Sequence, residues 1–490
     1  MGNNRKFRLG IYLPVAVTAA LFRAAHLFFW SKTPFFRTPA LDELYHHRWA
    51  ELIASGELLF PVPFFRAPLY PYFLGGIYAL FGSSPWPVRI IQLLFGVLGC
   101  LLIAYLAKLI FGGRKPPLFA GLFAALSPMP ALFESRLLLD WMLIPLGAAA
   151  LIFFLKASRD GRNRDIFLAG LFSGLFAITR PNILAVIPFL LLWLLFSVGI
   201  RKKLPALGLC LLGLAIPILP VTAHNLYRGS FSLVATQGGL NLYLGNNPET
   251  DGATPILPGF GGDWTLLEAR ANAESQSGCE LSWSELDRYY LKKAISFALE
   301  NPRDELRLFG RKISLLISAR EGGNNGSPEF FRRFSPPLYS PFAWGFLLIL
   351  GAMSLTLFRQ NRGVRLLAFF AILYSGTVIL FFVNARFRLP VLAPLFPLAG
   401  GGFAILWEGL RLRKTRRVFL ATGFALLAAA AVFTAPRPGL GPRGLAESWF
   451  SLGNLHLREG NLDSAEGSYI KNIDAKPRVP RANLNLGIVA

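Results

Sequence analysis

Two acids stand side by side in this chain, Asp42 and Glu43, shortly after the first long apolar run. They open a stretch, residues 42–56, in which Leu44, Tyr45, Trp49, Leu52 and Ile53 recur at helical spacing, so an amphipathic helix along a membrane surface is expected there. A second pair of carboxylates, Glu134 and Asp140, flanks the junction between two later apolar runs. A carboxylate beside a bound substrate can take the proton of an attacking hydroxyl or amine as general base. Four arginines form the complementary set: Arg66 in Arg-Ala-Pro-Leu-Tyr-Pro, Arg180 in Arg-Pro-Asn, and Arg386 and Arg388 in Arg-Phe-Arg-Leu-Pro. Guanidinium is the preferred clamp for phosphate, and cations stabilise the charge that builds on a departing phosphate. Each residue also has a bland reading. The acid pair suits a helix N-terminus, the other acids a solvated interface, and an arginine near a span is commonly a snorkelling anchor.

Other chemistries find less support. No Walker or dinucleotide loop is present, so nucleotide chemistry is not indicated. His46, His47 and His224 lie near acids, but their spacing fits no metal signature; no metal site is assigned, and a divalent metal is left open. Cys100, Cys210 and Cys279 form neither a disulfide framework nor a metal-type spacing.

The elements that must position these residues follow from composition. Of 490 residues, 53% are hydrophobic and only 16% charged, with 44 Phe and a mean hydropathy of +0.47. A soluble domain carries roughly 25% charged residues, so a disordered chain is excluded, the composition speaks against a large soluble enzyme, and a membrane is the default solvent. The net charge of +23 would suggest nucleic acid in a soluble protein. Here the Lys and Arg residues cluster in short connections between apolar runs, the pattern of cytoplasmic loops, and no nucleic-acid partner is assigned.

Apolar stretches suggest about eleven spans, near 10–30, 86–111, 118–133, 139–156, 166–181, 183–200, 205–222, 341–358, 366–383, 389–409 and 418–434. The first has a basic start and no small-residue cleavage site, so it reads as an uncleaved anchor. With a cytoplasmic N-terminus, the connections at Arg114-Lys115, Lys156 to Arg164, Arg201 to Lys203, Arg359 to Arg365 and Arg411 to Arg417 fall inside. The long segments 31–85 and 223–340 then fall outside, as do all eight candidate site residues and the C-terminus. Four arginines on the side that basic residues usually avoid weigh against the anchor reading. Within 223–340 a second amphipathic stretch is expected over about 282–318, and Gln237 to Pro248, dense in turn residues, is expected as an ordered loop. The fold class is therefore all-α, a polytopic membrane protein with amphipathic surface helices in its outer loops.

A repeat closes the chain. Trp449-x2-Leu452-Gly453, then Ala465, Tyr469 and Pro477, match the tetratricopeptide pattern, and Leu486-Gly487 restart it one repeat period later. The expected organisation is a membrane domain over 1–434, a linker over 435–445, and a tetratricopeptide repeat over 446–490 with an incomplete second copy. Such repeats dock proteins or peptides, so a protein partner is expected at the repeat.

At Asp42-Glu43, Arg66-Ala-Pro-Leu-Tyr-Pro, Glu134 to Asp140, Gly174 to Pro181, the Gly-Asn-Asn loop at 245–247 and Arg386 to Pro390, the chain resembles the C-type glycosyltransferases of the protein O-mannosyltransferase and aminoarabinose-transferase kind. The resemblance covers about residues 8–434. It implies an inverting transfer of a sugar from a polyprenyl-phosphate donor to a protein, lipid or glycan acceptor on the periplasmic face of a bacterial inner membrane. By the same resemblance Asp42 is the base, Asp140 the second acid, Glu43 and Glu134 further members, and Arg66, Arg180, Arg388 and Arg386 contacts to the donor phosphate. Two alternatives share the many spans. An O-antigen ligase or polymerase would concentrate its essential residues in the large late loop, and a transporter or flippase of lipid-linked sugars would show matching halves.

Overall fold

In a computed structural model of the chain, the structure describes residues 3–262, 264–412, 415–435, 442–475 and 480–489. Among these the backbone is helix, turn and irregular connection, with no strand beyond one isolated bridge between Leu257 and Gly261. Six helices are long and apolar enough to cross a membrane: Gly10–Trp30, Pro85–Phe111, Leu139–Asp160, Lys203–Tyr227, Arg362–Leu380 and Ala385–Glu408. The pair Lys115–Leu126 and Pro128–Glu134, bent by 51°, makes a seventh if counted as one span. The protein is thus a multi-pass membrane protein. Leu69–Phe81, Trp344–Leu357 and Thr422–Thr434 are shorter apolar helices.

Local chemistry explains where the expected spans divide. The stretch expected at 118–133 bends at Ser127, where Pro128 and Pro130 lack the N–H groups that would continue the ladder. The stretch expected at 183–200 splits into a short 3-10 turn, Pro181–Ala185, and the nine-residue helix Ile187–Leu195. The segment 31–85 carries the expected helix, Asp42–Ala54, and also the apolar Leu69–Phe81. The stretch at 282–318 is two helices, Trp283–Glu300 and Pro302–Ile317, broken at Asn301-Pro302. The ordered loop expected at 237–248 is in fact a short helix, Gly238–Gly245. Its N-terminus is set by Asp287, whose carboxylate accepts from the Gly239 N–H at 2.6 Å.

The first span shows how helix and solvent choose faces. Leu13, Val17, Leu21 and Phe28 are exposed where lipid would lie, while Val15, Ala19, Arg23, His26 and Trp30 are buried. The central element is Ala385–Leu412, kept helical through Pro390, Pro394 and Pro397 by burial against the helices around it. The helices Asn163–Ala177 and Lys203–Tyr227 touch backbone to backbone. A Cβ at Gly170 would lie 2.0 Å from the Cys210 carbonyl oxygen, and one at Gly213 would lie 2.2 Å from that of Phe167. Such small residues allow the approach that helix association in lipid depends on.

One span fixes the two ends of the bundle. Asp140 and Asp160 lie at opposite ends of Leu139–Asp160, so about 30 Å separates them at 1.5 Å per residue. Connections rich in Lys and Arg meet at the Asp160 end, where Lys202 approaches Gly161 and Asn361 donates to the Ile110 carbonyl at 3.0 Å. The C-terminal helices Pro442–Arg458 and Leu462–Ala475 pair as a hairpin at the Asp140 end, with Gly453 seated against the Tyr469 ring. Residues 436–441 of the expected linker, 476–479 and 490 of the expected repeat, and 413–414 of the last basic connection lie outside the described residues.

Gly170→Ala and Gly213→Ala should each destabilise the protein by about 1–3 kcal/mol through overpacking. Gly208→Ala, on the same Lys203–Tyr227 helix with nothing within 4 Å of its Cβ position, should not. Thermal unfolding in detergent micelles distinguishes the three.

Candidate functional site

Five candidate residues from five segments meet at the Asp140 end of the bundle. Asp42 sits in the first turn of Asp42–Ala54, after Leu41 turns the chain with a φ of 53°. Arg66 lies in the segment entering Leu69–Phe81, which is tied to the Arg180 segment by the Leu69 N–H donating to the Ile178 carbonyl at 3.1 Å. Asp140 occupies a 3-10 turn, Leu139–Met142, that starts the following span. Arg180 is extended just before Pro181, as a residue preceding proline favours. Arg386 opens the central helix.

Arg386 joins the set. Its Nη1 donates to Asp42 Oδ2 at 2.5 Å and its Nε to Asp140 Oδ2 at 2.5 Å. Arg66 holds the other oxygen of Asp42 at 2.7 Å, and Arg180 holds the other oxygen of Asp140. Two carboxylates and three guanidiniums therefore form one chain of charge-assisted bonds, with one positive charge in excess. Tyr45 lies under the Arg66 guanidinium at 5.1 Å and Phe387 under that of Arg180 at 4.4 Å. The two acids differ in access: the Asp42 side chain is 19% exposed and that of Asp140 0%. Among the described residues, the buried Nε of Arg180 has no hydrogen-bond partner.

Burial pushes the Asp42 carboxyl up, but Arg66 and Arg386 outweigh it and hold the group well below the usual carboxylate range. Burial pulls His46 down to about 4, so it is neutral at physiological pH. Its Nδ1 donates to the Leu137 carbonyl at 2.9 Å. His47 pairs with Tyr78 and Glu51, while His224 stacks on Phe64 and reaches the Phe60 carbonyl. Among the described residues no group of three or more His, Cys, Asp and Glu side chains could hold a metal ion.

The other three candidates stand apart in buried ion pairs of their own. Glu43 accepts from Arg136 Nε at 2.6 Å and from the Leu137 N–H at 3.2 Å. Glu134 takes both Nε and Nη2 of Arg23, at 2.5 and 3.0 Å, in a space that a Cβ at Gly96 would fill. Arg388 donates to Glu321 at 3.2 Å and to the Ser318 and Arg320 carbonyls.

Sequence reasoning missed Arg136, Asn324 and Asn325. Arg136 lies between Glu134 and Asp140 in a stretch already singled out for its acids. Gly-Asn-Asn occurs twice, at 245–247 and 323–325, and the second copy is the one at the site. Asn325 Nδ2 donates to Asp42 Oδ2 at 2.9 Å, and Asn324 Oδ1 accepts from Arg386 at 3.4 Å. In the first copy, Asn246 instead accepts from the buried amine of Lys312 at 2.5 Å.

Residues 65–224, which carry Arg66, Glu134, Asp140 and Arg180, match the family model for dolichyl-phosphate-mannose-protein mannosyltransferase. No curated protein sequence matches the chain. The fold is similar to that of ArnT from Cupriavidus metallidurans bound to undecaprenyl phosphate, with 18% identity and a TM-score of 0.46 over 93% of this chain and 76% of that one. It is also similar to the apo oligosaccharyltransferase of Archaeoglobus fulgidus, with 17% identity and a TM-score of 0.49 over 89% of this chain and 57% of that one. The complex of AglB from the same archaeon with an inhibitory peptide and a dolichol-phosphate shows 16% identity and a TM-score of 0.47, over 95% and 60%.

Arg386→Gln leaves two buried or half-buried carboxylates each with one guanidinium, and removing one member of such a network costs about 3–5 kcal/mol. Unfolding by denaturant in micelles should report that loss. Because the folded-state value of Asp42 is depressed, its ion pairs contribute stability that is fully present above the unfolded value near 3.8 and lost as pH falls through the folded value. Unfolding scans of wild type and Asp42→Asn should therefore differ most near neutral pH, keep most of that difference down to about pH 4, and converge only as the pH falls further, through the folded value.

Proposed function

We propose that the protein is an integral membrane glycosyltransferase that moves a sugar from a polyprenyl-phosphate donor to a protein, lipid or glycan acceptor. The observation that carries this reading is the convergence of Arg66, Arg180 and Arg386 on Asp42 and Asp140 at one end of the bundle, with a net positive charge. A lone excess cation beside a partnerless buried guanidine nitrogen suits a phosphate oxygen. The family match over the segment holding four of the eight candidates supports the same class of donor.

In this reading Asp42 is the general base, because it alone of the two acids reaches solvent and so an acceptor. The acceptor oxygen or nitrogen bonds to the anomeric carbon while the bond from that carbon to the phosphate oxygen breaks, inverting the centre. The electron pair leaves with the polyprenyl phosphate, and the acceptor proton passes to Asp42. Asp140, fully buried, orients Arg180 and Arg386, and these with Arg66 stabilise the charge on the departing phosphate. Glu43, Glu134 and Arg388 serve this centre by holding the segments that carry it.

In the same reading the basic end of the bundle faces the cytoplasm, which the bias of Lys and Arg supports, and the site and the C-terminal hairpin lie on the periplasmic face of a bacterial inner membrane. The hairpin is read as a tetratricopeptide unit that docks a protein partner.

Glycan mass profiles of envelope lipids and proteins, from a deletion strain complemented with wild type or Asp42→Asn at equal abundance, test the reading. Wild type should restore a missing sugar. Asp42→Asn should lower transfer by about 10²–10⁴-fold, and full restoration by that variant would overturn the assignment of the base.

A further inference from the structure

The segment Glu321-Gly-Gly-Asn-Asn-Gly-Ser327 reaches the site as a strap between two anchors. One anchor is the bundle: Glu321 pairs with Arg388, and the Ala385 N–H donates to the Gly322 carbonyl at 3.0 Å. The other is the C-terminal hairpin. The buried Ser327 N–H donates to the buried Ser448 hydroxyl at 2.8 Å, and Trp449 packs edge-on against Phe330 with ring centroids 4.9 Å apart. Between the anchors, Asn325 adopts a φ of 58° and Gly326 one of 104°, with the Phe331 ring filling the place a Cβ at Gly326 would take. That turn aims the Asn325 side-chain amide at Asp42 and the Asn325 main-chain carbonyl at Arg136, which donates to that carbonyl at 2.7 Å while gripping Glu43. The hairpin also meets the other approach to Asp42, since Arg458 donates to the Pro39 carbonyl at 3.2 Å.

We infer that the C-terminal hairpin is a positioning element of the candidate site: Ser448 and Trp449 hold the 321–327 strap so that Asn325 donates to Asp42. This rests on the reading of Asp42 as the acceptor's base. With Arg66 on Oδ1 and both Arg386 and Asn325 on Oδ2, the carboxylate has its donors in place and little basicity left. Asn325 is the neutral one of the three donors and is carried on a segment without regular structure, so its release frees a lone pair of Oδ2 toward an acceptor. Whatever shifts the hairpin at Ser448 therefore sets when Asp42 can take a proton.

The test uses full-length protein in detergent micelles, with Ser448→Ala at one end of the link and Asn325→Gly, which keeps the positive φ, at the other. Amide hydrogen exchange of residues 322–327 should rise about tenfold in Ser448→Ala, while peptides around Asp140 stay at the wild-type rate. In sugar transfer both variants should move the acid limb of the pH–rate profile upward, because a hydrogen bond donated to the ionised carboxylate is lost, with the donor KM within twofold of wild type. Wild-type exchange in Ser448→Ala would overturn the link. So would an unmoved acid limb in both variants with a change confined to KM. Faster strap exchange in a protein whose wild type transfers no sugar would instead leave the link standing and defeat the transferase reading.

Discussion

One guanidinium organises this end of the molecule. Arg386 donates to two carboxylates that arrive from different segments, Asp42 from the segment after the first span and Asp140 from the start of the Leu139–Asp160 span. A buried cation between two anions is stable only if the remaining oxygens are also engaged, and Arg66 and Arg180 do that. Five segments must therefore reach one place. The close backbone approach of Asn163–Ala177 and Lys203–Tyr227 delivers Arg180, and the buried central helix delivers Arg386.

Around this chain of bonds the bundle carries further buried pairs, Arg23 with Glu134, Arg136 with Glu43 and Arg388 with Glu321. Each joins elements that are distant in sequence, and each ends within a few residues of the central five. The stretch Glu134 to Leu137 is the most tightly held: Gln92 donates to the carbonyls of Glu134 and Arg136, Arg89 to that of Ser135, and His46 to that of Leu137. In a low-dielectric interior every such group left without a partner would be costly, so the set acts as a rigid seat for Asp140. Rigidity here suits a site whose acids must not wander onto each other's partners. The strap at 321–327 is the contrasting part: it is irregular, glycine-rich and suspended, and its contact to Asp42 is a neutral amide.

Charge separates the two faces of the protein. The connections near Asp160 carry Lys and Arg in excess, with few acids to pair them. At the Asp140 end Arg66, Arg180 and Arg386 are turned toward acids and aromatic rings, and so are not free to act as surface anchors. Arginine thus plays two roles in one chain, decided by whether a carboxylate lies within reach.

How much was legible beforehand differs by level. Composition and apolar runs suffice for an all-helical membrane protein, because lipid leaves a spanning backbone few other ways to satisfy its polar groups. Helix Asp42–Ala54 was legible from its periodicity, and the eight charged candidates from their cost beside a membrane. What the linear pattern could not carry was partnership. Asp42 and Glu43 are neighbours in sequence, yet successive side chains on a helix point about 100° apart, so one joins Arg386 and the other Arg136. Two Gly-Asn-Asn segments are identical as strings, and only the packing of Arg388 and Ser448 on either side of the second brings it to Asp42. The sequence by itself determined the solvent, the helices and the inventory of charges, all of which depend on composition and local spacing. Which charges meet, which acid stays open to solvent and what covers it were decided by tertiary structure, because pairing depends on distances between segments that no local pattern records.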